Sequence, residues 1–113
     1  MTIYIDGVVN PHTVESDTLA GNSIIAANQN FIVGNQAGEG FNLPGTLGLF
    51  QLDKVVRTGS QIAASSTLGA IPPVDANTAV QLLLNENSGS TAHDTSGNGL
   101  NGTLSTAFMW VPQ

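Results

Sequence analysis

One stretch narrows the fold more than any other. From Val80 to Leu104 the chain reads as strand, turn, shaped loop and strand, with no room for a helix. It opens as a short apolar run from Val80 to Leu84, of a length that suits a strand. Asn87-Ser88-Gly89 then breaks the run, because Asn and Ser bond their own backbone and Gly accepts positive φ. A second break runs from Asp94 to Gly102, where Gly97, Gly99 and Gly102 alternate with Asn98 and Asn101. Backbone that dense in glycine and amide side chains forms a shaped loop. Thr103-Leu104 resumes the extended pattern.

The rest of the chain carries the same punctuation. Ile3-Tyr4-Ile5 and Val8-Val9 flank Asp6-Gly7, a hairpin turn in which both residues tolerate positive φ. Pro11 ends the return strand, since it cannot donate to a ladder. Further strands are predicted at Ser23–Ala27, at Phe31–Gly34 and at Thr46–Leu52, the last too apolar on both faces to be a free edge. Thr67 to Asp75, with Gly69 and Pro72-Pro73, reads as a semi-rigid linker. Ala107–Val111 is the last strand candidate, and its Trp110 is expected in the core or at a subunit interface.

Composition limits the partners. Apolar residues make up 41% of the 113, enough for the core of one small domain. Charged residues make up only 9%, against about a quarter in ordinary domains. The surface must therefore be Ser, Thr, Asn, Gln and Gly, which repel weakly and suit packing against neighbours. Eight acids against two bases give a net charge of −6. Clustered Lys and Arg are what phosphate binding needs, so neither a nucleic acid nor an anionic membrane surface is an expected partner. Cysteine is absent, which excludes disulfides and Cys-based zinc sites. No signal peptide is expected ahead of Ile3, since Met1-Thr2 leads straight into an apolar run, and no apolar run approaches the ~20 residues of a membrane span. An extracellular composition without an export signal leads to two expected settings: an excised module, or a virion protein released by lysis.

The 86–91 turn and the 94–103 loop resemble the opening strands of laminin-G-like, or concanavalin A-like lectin/glucanase, modules. Glu86 to Thr91 matches that family's "E-x-S-G-x-T" turn, and Asp94 to Thr103 matches its "D-x-S-G-N-x-x-N-G-T" loop. The "Y-x-D-G" hairpin at Tyr4–Gly7, the strand before Gly34 and the run Gly45–Leu52 resemble its closing half, where Ser60–Ala64 falls at a short helical turn. The resemblance therefore covers most of the chain in reversed order: residues 2–66 match the closing half and 75–111 the opening half. It implies an all-β, antiparallel jelly-roll sandwich. The whole of 1–113 forms one domain, with 67–75 linking 2–66 to 76–113. Three arrangements fit that order. The chain is a circularly permuted sandwich relinked by Ser65 to Asn77, or its fold is completed by strands of an adjacent copy, or it is a slice of a tandem array. Strand exchange is the route by which an incomplete sandwich covers its open apolar faces and edges.

Candidate sites follow. Asp94, Ser96 and Asn98 place oxygens like the first half of an EF-hand loop, but the twelfth position is Ser105. The resemblance implies a structural calcium held by a different set including carboxylates, with Asp94 and Asn98 as the metal candidates. Where many members carry an acid on the last strand, this chain has Gly48 and Leu49. The alternative role for Asp94 and Asn98 is to bond loop amides. Glycoside hydrolysis needs two carboxylates about 5 to 10 Å apart. The related glucanases' "E-x-D-x-x-E" triplet is missing, and Glu15 with Asp17 near His12 lies in a polar loop. Ser90, His93 and Asp94 can be drawn as a triad, but packing is the expected role of His93. No catalytic residue is assigned, and no cofactor other than the calcium. Lys54 and Arg57 are read as a solvated strand end, or as partners for acids on a neighbouring copy. The expected function is a non-enzymatic structural or adhesive virion protein, in a capsid coat, tail or fibre. Its partners are copies of itself and other virion proteins. The alternative is a carbohydrate-binding module for surface glycans, with Asn35, Phe41 and Trp110 as ligand-binding candidates and Tyr4 as a further aromatic.

Overall fold

The computed structural model describes residues 2–11, 31–34, 43–67, 69–105 and 108–111. Its elements are strands β1 (Ile3–Ile5), β2 (Val8–Asn10) and β3 (Phe50–Asp53), helix α1 (Gly59–Ser65), then strands β4 (Thr78–Leu82), β5 (Thr91–Ala92) and β6 (Gly102–Thr103). They form three two-stranded antiparallel sheets, β1-β2, β3-β4 and β5-β6. Over the described residues the fold is β-rich with one short helix.

The β1–β2 hairpin turns at Asp6 (φ 50°) and Gly7 (φ 75°), the left-handed pair that a two-residue hairpin requires. Gly7 also meets the helix. A Cβ there would sit 2.5 Å from Ser66 Oγ and 2.8 Å from Ala63 Cα, so only glycine lets the hairpin approach α1 this closely. The helix starts at a capping box: Thr58 Oγ1 accepts the Gln61 N–H while the Gln61 side chain accepts the Thr58 N–H. Ser66 closes its far end.

Strand β4 is the spine. On one side it pairs with β3, with Phe50 opposite Leu82 and Gln51 opposite Gln81, and the register shifts between Leu52 and Asp53. On the other side Leu82 bridges to Asp94, and the Thr95 N–H donates to the Gln81 carbonyl. Flanked on both sides, β4 holds Thr78, Val80 and Gln81 buried, and Ala92 of β5 joins them. Among the described residues, two of the four buried side chains are polar. Because β3 belongs to the 2–66 half and β4 to the 76–113 half, their pairing joins the two halves within one chain.

Several expectations need correction. Phe31–Gly34 is not a strand: Gly34 turns at φ 78°, and no strand partner pairs with this segment among the described residues. Of Thr46–Leu52 only Phe50 onward is extended in a ladder, because β4 reaches no further back than Phe50. Residues 108–111 carry no strand. The strand expected at Ser23–Ala27 lies outside the described residues, as do His12, Glu15, Asp17, Asn35 and Phe41. Residues 69–75 have neither helix nor strand.

Candidate functional site

Two polar constructions flank β4. The first is the Asp94 loop. Asp94 Oδ1 accepts the N–H groups of Gln81 (3.0 Å) and Ser96 (2.9 Å), and Oδ2 accepts the Ser96 hydroxyl (2.9 Å) and the Leu100 N–H (2.9 Å). Burial pushes this carboxyl up, but those donors outweigh it and hold it well below the usual carboxylate range. The Asp94 N–H in turn donates to Asn101 Oδ1 at 2.9 Å. Asn98 Nδ2 faces the carbonyls of Thr78 and Ala79, each at 3.0 Å. The loop is thus stitched to β4 by side chains. Both Asp94 oxygens face N–H or O–H donors, so a cation would have to displace them. The set fits a calcium ion poorly. No group of three His, Cys, Asp or Glu side chains that could hold a metal occurs among the described residues.

The second construction is a polar relay ending in a cleft. Gln81, 2% exposed, donates from Nε2 to Gln51 Oε1 and to the Pro72 carbonyl, each at 2.8 Å, and its Oε1 accepts the Thr95 hydroxyl at 2.8 Å. Gln51 Nε2 donates to Asp53 at 3.1 and 3.2 Å. Asp53 accepts Arg57 Nη2 at 2.7 Å, and Asp75 takes both Arg57 Nη1 (2.7 Å) and Nη2 (2.9 Å) as a fork. The guanidinium holds Asp53 below its ordinary value and brings Asp75 down to about 2, while the two carboxylates raise Arg57. Asp75 also opens β4, accepting the Asn77 N–H at 2.8 Å, while its own N–H donates to the Thr78 hydroxyl at 3.1 Å.

Above Gln51, Asp53 and Arg57 lies a cleft of about 480 Å³ between the β1–β2 turn, α1 and the Ala70–Pro73 segment. Tyr4, Gln61, Ile62 and Ile71 also line it. Its size falls within the range of small-ligand sites, and its apolar walls carry a few converging polar groups.

The residues singled out from sequence do not meet here. Trp110 is half-buried elsewhere, its indole N–H donating to the Gly89 carbonyl at 2.7 Å. His93 is not a packing residue. Its side chain is 68% exposed, with Nδ1 3.5 Å from Glu86 Oε1, the oxygen that accepts the His93 N–H at 2.7 Å. Arg57 is neither a solvated strand end nor left for a neighbouring copy, since acids of its own chain bind it on both sides. Tyr4 is the aromatic of the candidate set that lines the cleft. Gln51, Gln61 and Gln81 carried no sequence signal beyond a polar residue in or beside an apolar run.

No protein-family model, no curated protein and no solved structure matches the chain.

Proposed function

We propose that the chain is a non-enzymatic structural or adhesive subunit, a virion component, built on a laminin-G-like β-sandwich whose halves are relinked within the chain and whose remaining open faces other copies cover. The observation carrying this reading is the combination of two-stranded sheets with large apolar side chains left open on them and around them, including Ile5, Val8, Leu52 and Phe31. A two-stranded ribbon is marginal alone and needs a covered apolar face. The carboxylates Asp53, Asp75, Glu86 and Asp94 are engaged in bonds that hold the fold, a use that favours scaffold over catalysis. The in-chain pairing of β3 with β4 favours the relinked sandwich at that seam. The neighbouring reading frames test the setting. Capsid, tail or fibre genes are expected beside this one, and a cluster of metabolic enzymes would contradict the reading.

A second reading rests on the cleft. Tyr4 beside Gln51, Asp53, Arg57 and Gln61 is the pairing of an aromatic face with hydroxyl-reading polar groups that a sugar site uses. Glycan-array binding that is lost in Tyr4→Ala, with the fold intact, would favour a carbohydrate-binding module. A blank array would remove it.

A further inference from the structure

Resting on the carbohydrate reading of the cleft, we propose that the cleft selects glycans carrying a free amino group and rejects acidic ones, with Asp6 as the residue that meets the amine. Which polar groups of the cleft are free decides this. Arg57 is spent: Nη1 donates to Asp75, and Nη2 to both Asp53 and Asp75. Asp53 accepts Gln51 as well. Three lining groups have no hydrogen-bond partner among the described residues: the Asp6 carboxylate, the Tyr4 hydroxyl and the Gln61 Nε2 amide. Asp6 is exposed at the hairpin turn. A Cβ on Gly59 would lie 3.5 Å from the Tyr4 hydroxyl, so the phenol rests on the first turn of α1, the turn that carries Gln61.

Charge gives the ligand class. Arg57 with its two carboxylates leaves one net negative charge beneath the cleft, and Asp6 adds a second at its edge. Lys54 and Arg57 are the only Lys and Arg of the whole chain, and Lys54 does not line the cleft. No other segment can therefore bring a lysine or arginine to it. A glycan carboxylate or sulfate would meet like charges with no free lysine or arginine to bind it, a repulsive element of the kind that sets specificity. A protonated amine meets a free carboxylate beside an aromatic ring, whose face also attracts a cation. The Tyr4 hydroxyl and the Gln61 amide remain to bond sugar hydroxyls.

The test is a glycan array probed with the full chain, comparing amine-bearing, N-acetylated and acidic sugars. Amine-bearing hits are expected, each bound about 5-fold more tightly than its N-acetylated twin, the most that one exposed ion pair gives. In Asp6→Asn that preference should vanish, and asparagine holds the turn because it too accepts positive φ. Met109→Lys shifts the net charge by the same amount at a site 84% exposed that does not line the cleft, and should keep the preference. Acidic sugars bound as tightly as amine-bearing ones, or twins bound alike, overturn the amine selection and leave the carbohydrate reading standing. A preference that survives Asp6→Asn, or is lost equally in Met109→Lys, overturns the role of Asp6. A blank array removes both the inference and the reading it rests on.

Discussion

Residues 75–105 and the segments 2–11 and 43–53 draw on the same low-charge composition, yet they hold their shape by different means. In the first region side chains bond backbone across 13 to 20 residues of sequence: Asp94 to Gln81, Ser96 to Ala79, Asn98 to Thr78. The second is held by a hairpin ladder, turns and the pairing of Phe50–Asp53 with β4, and Ile3, Ile5, Val8, Leu43 and Leu52 stay exposed. A loop that satisfies its backbone with its own Asp and Asn side chains completes itself. Strands that rely on apolar faces need another surface. Asp53, Arg57, Asp75, Glu86 and Asp94 sit where they tie segments together.

The largest expected effect would break the self-completing region. Asp94→Ala removes a charged acceptor from three backbone N–H groups and one hydroxyl. At about 1.5–3 kcal/mol for each bond to a charged group, with partial rescue by water, the loss should be on the order of 3–4 kcal/mol. Urea unfolding reads it, and Asp94→Asn, which keeps one acceptor oxygen, should lose about half as much. A loss below about 1 kcal/mol would mean that the loop is held by something else. Gln81→Ala comes next, at about 2–3 kcal/mol, because it leaves Gln51 and the Pro72 carbonyl short of a donor in a buried position. Gln81→Leu, which fills the space without the bonds, separates packing from polarity.

Gly7→Ala probes the other region. Its φ of 75° and the 2.8 Å approach of Ala63 Cα both oppose a Cβ, so a cost of about 1–3 kcal/mol is expected. The damage should appear in the hairpin and α1, with residues 78–104 unchanged in amide chemical shift. The smallest effect is with acid. Asp75 has its pKa lowered from 3.8 to about 2. A depressed carboxylate stabilises the fold above its unfolded value, and that contribution fades as the pH falls from about 4 to about 2. Asp53, also lowered by Arg57, acts in the same direction. Arg57→Ala should therefore lower the melting temperature by a small and equal amount at every pH above about 4, including pH 7, with the difference vanishing as the pH falls toward about 2; the effect is small because the fork is exposed and screened by water.

How much of this was legible in the sequence depends on how local the cause was. Asp6-Gly7 announces its hairpin because the φ requirement lies in the two residues themselves. The glycines and amides of 94–102 announce a loop for the same reason. Phe31–Val33 has the composition of a strand without its structure, since a ladder needs a partner that periodicity cannot name. The same limit shortened Thr46–Leu52 to the part that β4 reaches. Arg57 binds Asp75 across 18 residues, and Gln81 binds Gln51 across 30. Such pairs leave no mark in spacing. Asp94 stands out in the sequence as a metal-ligating or loop-bonding carboxylate, and its spacing suits both roles. Only the geometry of four donors around its oxygens separates them.

The claim that one region completes itself while the other waits for a partner can be tested by amide hydrogen exchange at rising protein concentration. The account predicts that the amides of Gln81, Ser96 and Leu100 are protected equally at every concentration, while those of residues 31–34 and 43–50 become protected only as the chain associates. Protection that rises together in both regions, or that does not change in 31–34 and 43–50 while the chain dimerises, would contradict it.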